Sequence, residues 1–172
     1  MFNSAACAYN LQSFLASGTT AGCTVTLNAV TGKRLYLDSI NGFNDKKSVL
    51  EIRNDLTGTV STTTGDATVT GTGTLFLTEL VVGDTIRVTD TSEVLKVLSI
   101  ASNTSLEATT NASNNEASSA LVRLINRQIT EVDKPFNFNC GGAMWSSIGK
   151  SLTVALLTST ADCSLTVTGF NL

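Results

Sequence analysis

The sequence predicts an all-β protein whose body is an antiparallel sandwich, and three observations lead there. First, the last third of the chain alternates strictly: Phe136, Phe138 and Cys140 fall on one side of a strand and Asn137 and Asn139 on the other, and Leu152, Val154 and Leu156, then Cys163, Leu165 and Val167, repeat the pattern. Period-two alternation marks strands with one buried and one wet face. Second, charged residues are only 15 % and there is a single proline, while Thr, Ser, Asn and Gly abound, so helix-favouring side chains are too sparse for a helical fold. Third, a chain of 172 residues buries enough surface for one sandwich, or for a core with a small appended module.

Taken in order, residues 1–22 read as a short N-terminal arm or helix. Ser4 is placed to cap a helix ending near Gly18, with Ala5, Tyr9 and Phe14 towards a partner; an extended arm suits the same residues. This stretch lacks a basic n-region, and Asn10, Gln12 and Ser13 interrupt its apolar run, so it reads as neither a signal peptide nor a membrane span, and a soluble, unprocessed protein is expected. The body then opens with CTVTLNAV from Cys23, RLYLDSI, a turn around Asn41 to Lys47, and SVLEIRN. From residue 57 to 121 the pattern changes to short segments, GTVS, DATVTG, TLFL, DTIRVT, EVLKVLSI and SLEAT. Turns at Gly65-Asp66, Gly71 to Gly73, Gly83-Asp84 and Asn103 separate them, and a loop, NASNNEASS, follows. LVRLINRQIT leads into the terminal strands, which turn at Gly141-Gly142 and at Ser146 to Gly149. The expectation is a discontinuous sandwich body, 23–56 with 122–172, interrupted by a small β-barrel-like module at 57–121. Its junctions fall at the polar segments Asp55 to Gly58 and Asn111 to Ser119, where insertions are tolerated.

Chemistry is tested by subtraction. The chain has no histidine, which removes Ser-His-Asp, Cys-His and histidine-metal sites together. Asp66, Asp84, Asp90 and Glu93 are the acids open to glycoside hydrolysis or calcium binding, but acids at strand ends form turns and no loop has EF-hand spacing. Gly71-Thr-Gly-Thr lacks the lysine and following helix of a phosphate loop. Val82-Gly83-Asp84 predicts a turn in which Gly83 takes positive φ and the Asp84 carboxylate accepts backbone N–H bonds. Cys7, Cys23, Cys140 and Cys163 have no CxxC spacing, and Cys23, Cys140 and Cys163 share faces with apolar neighbours, so the cysteines are expected as buried small hydrophobes in a protein assembled in a reducing cytosol. The net charge of -3 argues against nucleic acid. No enzyme activity, cofactor or metal is expected.

Residues 58–106 resemble a β-module of tailed-phage structural proteins. The shared marks are Gly58 to Val60, Ala67 to Thr74, Val82 to Asp84 and Val97 to Leu106. The flanks, TGKRLYLDSINGF and GKSLTVALLTSTADCSLTVTGF, are similar to the jelly-roll-like subunits of phage capsid decoration proteins. The resemblance implies a jelly-roll-like body and a homotrimeric cement subunit on the virion surface that binds the major capsid protein across neighbouring subunits. Tyr9, Phe14 and Leu15 are the expected capsid contacts, and Trp145 is expected in the core or at the trimer interface. The rival expectation is a tail-fibre or head-fibre protein whose module binds host glycan. Such a site wants an exposed aromatic platform, and the module supplies only Phe76, which its alternation places inward.

Overall fold

The computed structural model describes residues 12–18, 23–158 and 163–172. In chain order the strands are β1 (Gln12–Gly18), β2 (Thr24–Leu27), β3 (Leu35–Asn44), β4 (Ser48–Thr62) and β5 (Thr68–Thr72). After the one-turn helix α1 (Phe76–Glu79) come β6 (Thr85–Val88), β7 (Val94–Ser102) and β8 (Ser105–Ala108). The chain ends with β9 (Glu116–Thr130), β10 (Phe136–Trp145), β11 (Leu152–Leu156) and β12 (Cys163–Asn171).

The pairings nest. β1 pairs with β12, β2 with β11, β3 with β10 and β4 with β9, all antiparallel, as if one long hairpin had been wrapped around itself. Cross-pairing of β12 with β3 and of β11 with β4 folds that hairpin into two layers. One is the four-stranded sheet β1-β12-β3-β10; the other is β2-β11-β4-β9. This strand order is that of a jelly roll. Inward faces of both layers meet in one core that includes Leu35, Leu37 and Ile40 of β3, Leu50 and Ile52 of β4, Val154 of β11, and Leu165 and Val167 of β12.

The tip of the hairpin is a second unit. Beyond Asp55 and Val122, β4 and β9 run on, and β4-β5-β8-β7-β6-β9 closes into a circuit because β9 returns to β4. Val60, Val69, Phe76, Ile86, Val97, Leu106 and Leu121 fill the interior of this ring as a separate hydrophobic cluster. A closed circuit leaves the short strands without free edges, which is how so small a sheet avoids exposed ladder groups.

Several expectations are corrected. Gln12–Gly18 is extended rather than helical, and it pairs along its whole length with β12 as an edge strand. The turn after β3 is confined to residues 45–47, because Asn41 and Gly42 are held between β12 and β10 and Phe43 pairs with β12. The polar segment Asp55 to Gly58 is not a turn. β4 passes straight through it with a register shift against β9 between Asp55 and Thr59, and Gly58 takes φ +77° where an added Cβ would strike the Thr72 carbonyl. Pairing with β9 at Asp55 and again from Thr59 carries the strand across this segment against its local turn propensity. At the other junction, residues 109–115 are loop as expected, but β9 begins at Glu116.

TLFL is not a strand, since Phe76–Glu79 forms α1. Asn103 fixes its start, its carbonyl accepting from Thr74 Oγ1 (2.5 Å) and Phe76 N (3.3 Å) and its side chain from Leu77 N (3.1 Å). The inward placement of Phe76 holds, at 1 % exposure. Gly141-Gly142 is a bulge inside β10 rather than a turn: both residues have positive φ, and the β10–β3 register shifts between Asn139 and Met144.

The cysteine expectation is overturned in part. Cys23 and Cys163 are joined in a disulfide with Cα atoms 6.1 Å apart, while Cys140 is free and buried. Alternation placed both thiols inward; the nested pairing brings β2 and β12, from opposite layers, together at one end of the core, which no spacing across 140 residues can reveal. Cys7 lies outside the described residues. A cross-sheet disulfide also removes the cysteine argument for assembly in a reducing cytosol.

Candidate interaction surface

Body and ring are clasped by polar groups that the sequence reading did not single out. The Glu79 carboxylate at the end of α1 is 5 % exposed and accepts from Thr57 N (2.9 Å) and Thr57 Oγ1 (2.5 Å) of β4, with Lys150 Nζ of the body at 2.6 Å. Ser147 Oγ of the body donates to the Glu79 carbonyl (3.2 Å), and Ser147 N donates to the buried Asn54 Oδ1 (3.3 Å). A buried carboxylate with an ammonium and two further donors is a satisfied site, and these bonds offset the cost of taking its charge out of water where the two units meet.

Beside this clasp lies a cleft of about 430 Å³. Its ring wall is the segment from Thr78 to Asp84, its floor is Arg123 to Ile125 of β9, and its body wall is Ala143, Trp145, Ser147, Ile148 and Arg34. The Val-Gly-Asp turn is built as expected: Gly83 has φ +93°, and Asp84 Oδ2 accepts Val81 N at 2.9 Å. The same oxygen faces Arg123 Nη1 at 3.7 Å, and Arg123 Nη2 donates to the Trp145 carbonyl at 3.1 Å. Arg34 Nη1 donates to the Ser146 carbonyl at 3.1 Å. Apolar groups line the lip: Val81, Trp145 and Ile148 are 63 %, 44 % and 58 % exposed. Trp145 therefore lies outside both cores, which corrects the core alternative for it. Behind it, Tyr36 sits 6.4 Å away between ring centroids and stacks on Phe170 at 5.4 Å and 10°.

The opposite end of the body carries a second apolar patch. Val49 and Ile129 pair across β4 and β9, and Leu157 N donates to the Val49 carbonyl at 2.9 Å. Ile129 and Leu157 remain well exposed. Of the expected capsid contacts, Phe14 and Leu15 fall on β1, opposite Val167 and Thr166 of β12, and Tyr9 lies outside the described residues.

On the outer face of the second layer, the fully buried Glu51 gathers three guanidiniums: Arg87 Nη2 at 2.7 Å, Arg53 Nη1 at 2.9 Å and Arg127 Nε at 3.5 Å. The alternation of SVLEIRN placed Glu51 on the outer face; what hid its burial is that Arg87 arrives from the ring, 36 residues away.

The acids weighed for catalysis do not converge. Asp66 serves Thr68, which donates from both N (3.0 Å) and Oγ1 (2.9 Å), and these bonds hold its carboxyl below the ordinary range. Glu93 accepts from Ser113 N and Asn114 Nδ2. No group of three potential metal ligands occurs among the described residues. No family model matches the chain, and no curated protein matches it either.

Proposed function

We propose that this is a structural virion protein of a tailed phage, a cement subunit that binds across capsid subunits and stabilises the shell. The observation that carries the reading is the apolar patch of Val49, Ile129 and Leu157 at the end of the body remote from the ring. Among the described residues it is an apolar surface on a strand layer, with Ile129 and Leu157 exposed, suited to burial against another protein. The resemblance of residues 58–106 to a phage structural module supplies the biological setting, and the jelly-roll body adds support only by analogy, since a fold by itself does not assign a function. In this reading the body faces the shell, the ring points outward, and subunits associate as trimers. Tyr9, Phe14 and Leu15 are the further capsid contacts of this reading. Each contact needs roughly 800 Å² per partner, and many identical copies multiply a weak individual gain.

The test is the number of copies of this chain in purified virions, measured by quantitative mass spectrometry against the major shell protein. Hundreds of copies in a simple ratio are expected; a dozen or fewer, or none, would refute a cement role. Ile129→Lys should abolish shell binding while moving stability by no more than about 0.5 kcal/mol, the usual range for an exposed position. Undiminished binding would remove the patch from the argument.

A further inference from the structure

We propose that the cleft between the ring and the jelly-roll body is a binding site for a neutral saccharide, with the Trp145 indole as its stacking wall. The inference rests on the cleft alone and is independent of the virion reading.

Size comes first. At about 430 Å³ the cleft falls within the range of small-ligand sites, and it has the composition of one, an apolar lining with a few convergent polar groups. Charge then narrows the ligand. The charged lining residues are Arg34 and Arg123 against Glu79 and Asp84, two of each sign, and Arg123 and Asp84 already face each other at 3.7 Å. Each of these heads already has a partner within the protein, Glu79 with Lys150, Asp84 with Arg123 and Arg34 with the Ser146 carbonyl, so the cleft offers no unpartnered charge to an ionic ligand and suits a neutral one rich in hydroxyl groups. The planar guanidinium and carboxylate heads present paired donors and paired acceptors, the arrangement that adjacent hydroxyls of a sugar ring can meet.

The aromatic wall supplies the rest. Trp145 is exposed beside Tyr36, which stacks on Phe170, and its carbonyl is held by Arg123, so its backbone is fixed at the cleft with the indole at the lip. The Gly142 bulge permits this arrangement: with φ +74°, it lies where a Cβ would sit 3.3 Å from the Phe170 ring. An indole beside hydrogen-bonding groups matches a sugar ring, which has an apolar C–H face and a polar rim. A second copy of the chain or an apolar peptide would gain from Val81 and Ile148 but would have to desolvate the Arg34, Asp84 and Arg123 heads.

Trp145 is the only tryptophan in the chain, so its fluorescence reports this cleft alone. The full chain is titrated with neutral probes, namely dextran, galactomannan and xylan oligosaccharides, and with heparin as an anionic control. A saturable blue shift and protection from acrylamide quenching are expected with at least one neutral probe and not with heparin. By affinity electrophoresis in gels containing that polysaccharide, Trp145→Ala should weaken binding about tenfold or more and Trp145→Phe should restore part of it. Both variants should keep the wild-type unfolding midpoint. The proposal falls if none of these neutral probes binds or if Trp145→Ala binds as well as wild type. It also falls if Trp145 emission depends on protein concentration in step with self-association, which would give the cleft to a second copy.

Discussion

Reduction of the Cys23–Cys163 bridge is the perturbation with the largest expected effect on this fold. The bridge closes a loop with a sequence separation of 140 residues, running from the start of β2 around both units to the start of β12. On chain-entropy grounds a loop of that length removes about 5 kcal/mol of freedom from the unfolded ensemble. Domains of this size are stable by only about 5–15 kcal/mol, so a third or more of the total is at stake. With a guanidinium slope of about 4 kcal/mol per molar, the unfolding midpoint should fall by about 1 M on reduction. The slope itself should rise, because the reduced unfolded chain exposes more surface. The assay is guanidinium unfolding with and without a phosphine reductant, repeated on Cys163→Ser, which should match the reduced wild type in both conditions. Cys140→Ser is the control and should respond to reductant as wild type does, since Cys140 is free. Identical midpoints with and without reductant, in protein whose Cys23 and Cys163 are both alkylated under oxidising denaturation, would refute the bridge.

Two other substitutions read parts of the fold that no interface assay would reach. Glu51→Ala removes the buried carboxylate shared by Arg53, Arg87 and Arg127 and should cost about 3–5 kcal/mol in chemical denaturation, while Arg127→Ala, at the more exposed rim, should cost about 1 kcal/mol or less. Cys140 titrates in the opposite sense from a paired acid: burial pushes its thiol up, and the Asp38 carboxylate adds to this. A folded pKa above the unfolded one means that the contribution is present below the ordinary thiol range and lost as pH rises through the folded pKa. Wild type should therefore lose stability in alkaline solution faster than Cys140→Ala, as followed by unfolding midpoints, and the thiol should alkylate slowly in the native state near neutral pH.

Much of this architecture is written locally. Val25 and Leu27, Leu152 and Val154, and Leu165 and Val167 declare the two inner faces by alternation alone, and these faces are buried as the spacing requires. Gly83 and Asp84 likewise carry a turn in two residues. What the sequence does not show is pairing between distant segments. Asp55 to Gly58 has turn chemistry yet the strand continues through it, because β9 pairs with β4 at Asp55 and again from Thr59, where β5 joins on the other side. The cleft is the extreme case. Its aromatic wall comes from β10, its polar floor from β9 and its opposite wall from the loop after α1, so Trp145 reads as a core residue until the nested pairing sets these segments beside one another.

That pairing also makes the independence of the two units testable. Every residue of the first hydrophobic cluster lies outside 57–121, and apart from Leu56 the second lies inside it. Asp55 and Val122 are cross-strand partners, so replacing residues 56–121 by an Asn-Gly turn joins β4 to β9 in register without altering either layer. The excised body loses the Glu79–Lys150 pair, which frees Lys150 to water, and loses Arg87 from Glu51, which keeps Arg53 and Arg127. Arg123 likewise loses Asp84, but it lines the cleft that the ring's removal opens to water and keeps its bond to the Trp145 carbonyl. No loss strands an uncompensated charge in the interior, so the shortened chain should fold with a single cooperative transition. Its guanidinium slope should be smaller roughly in proportion to the surface removed. If it instead melts without cooperativity, with near-native far-ultraviolet dichroism but no near-ultraviolet signal, then the ring is a necessary part of the fold. The junction strands, rather than the two cores, would then be its organising element.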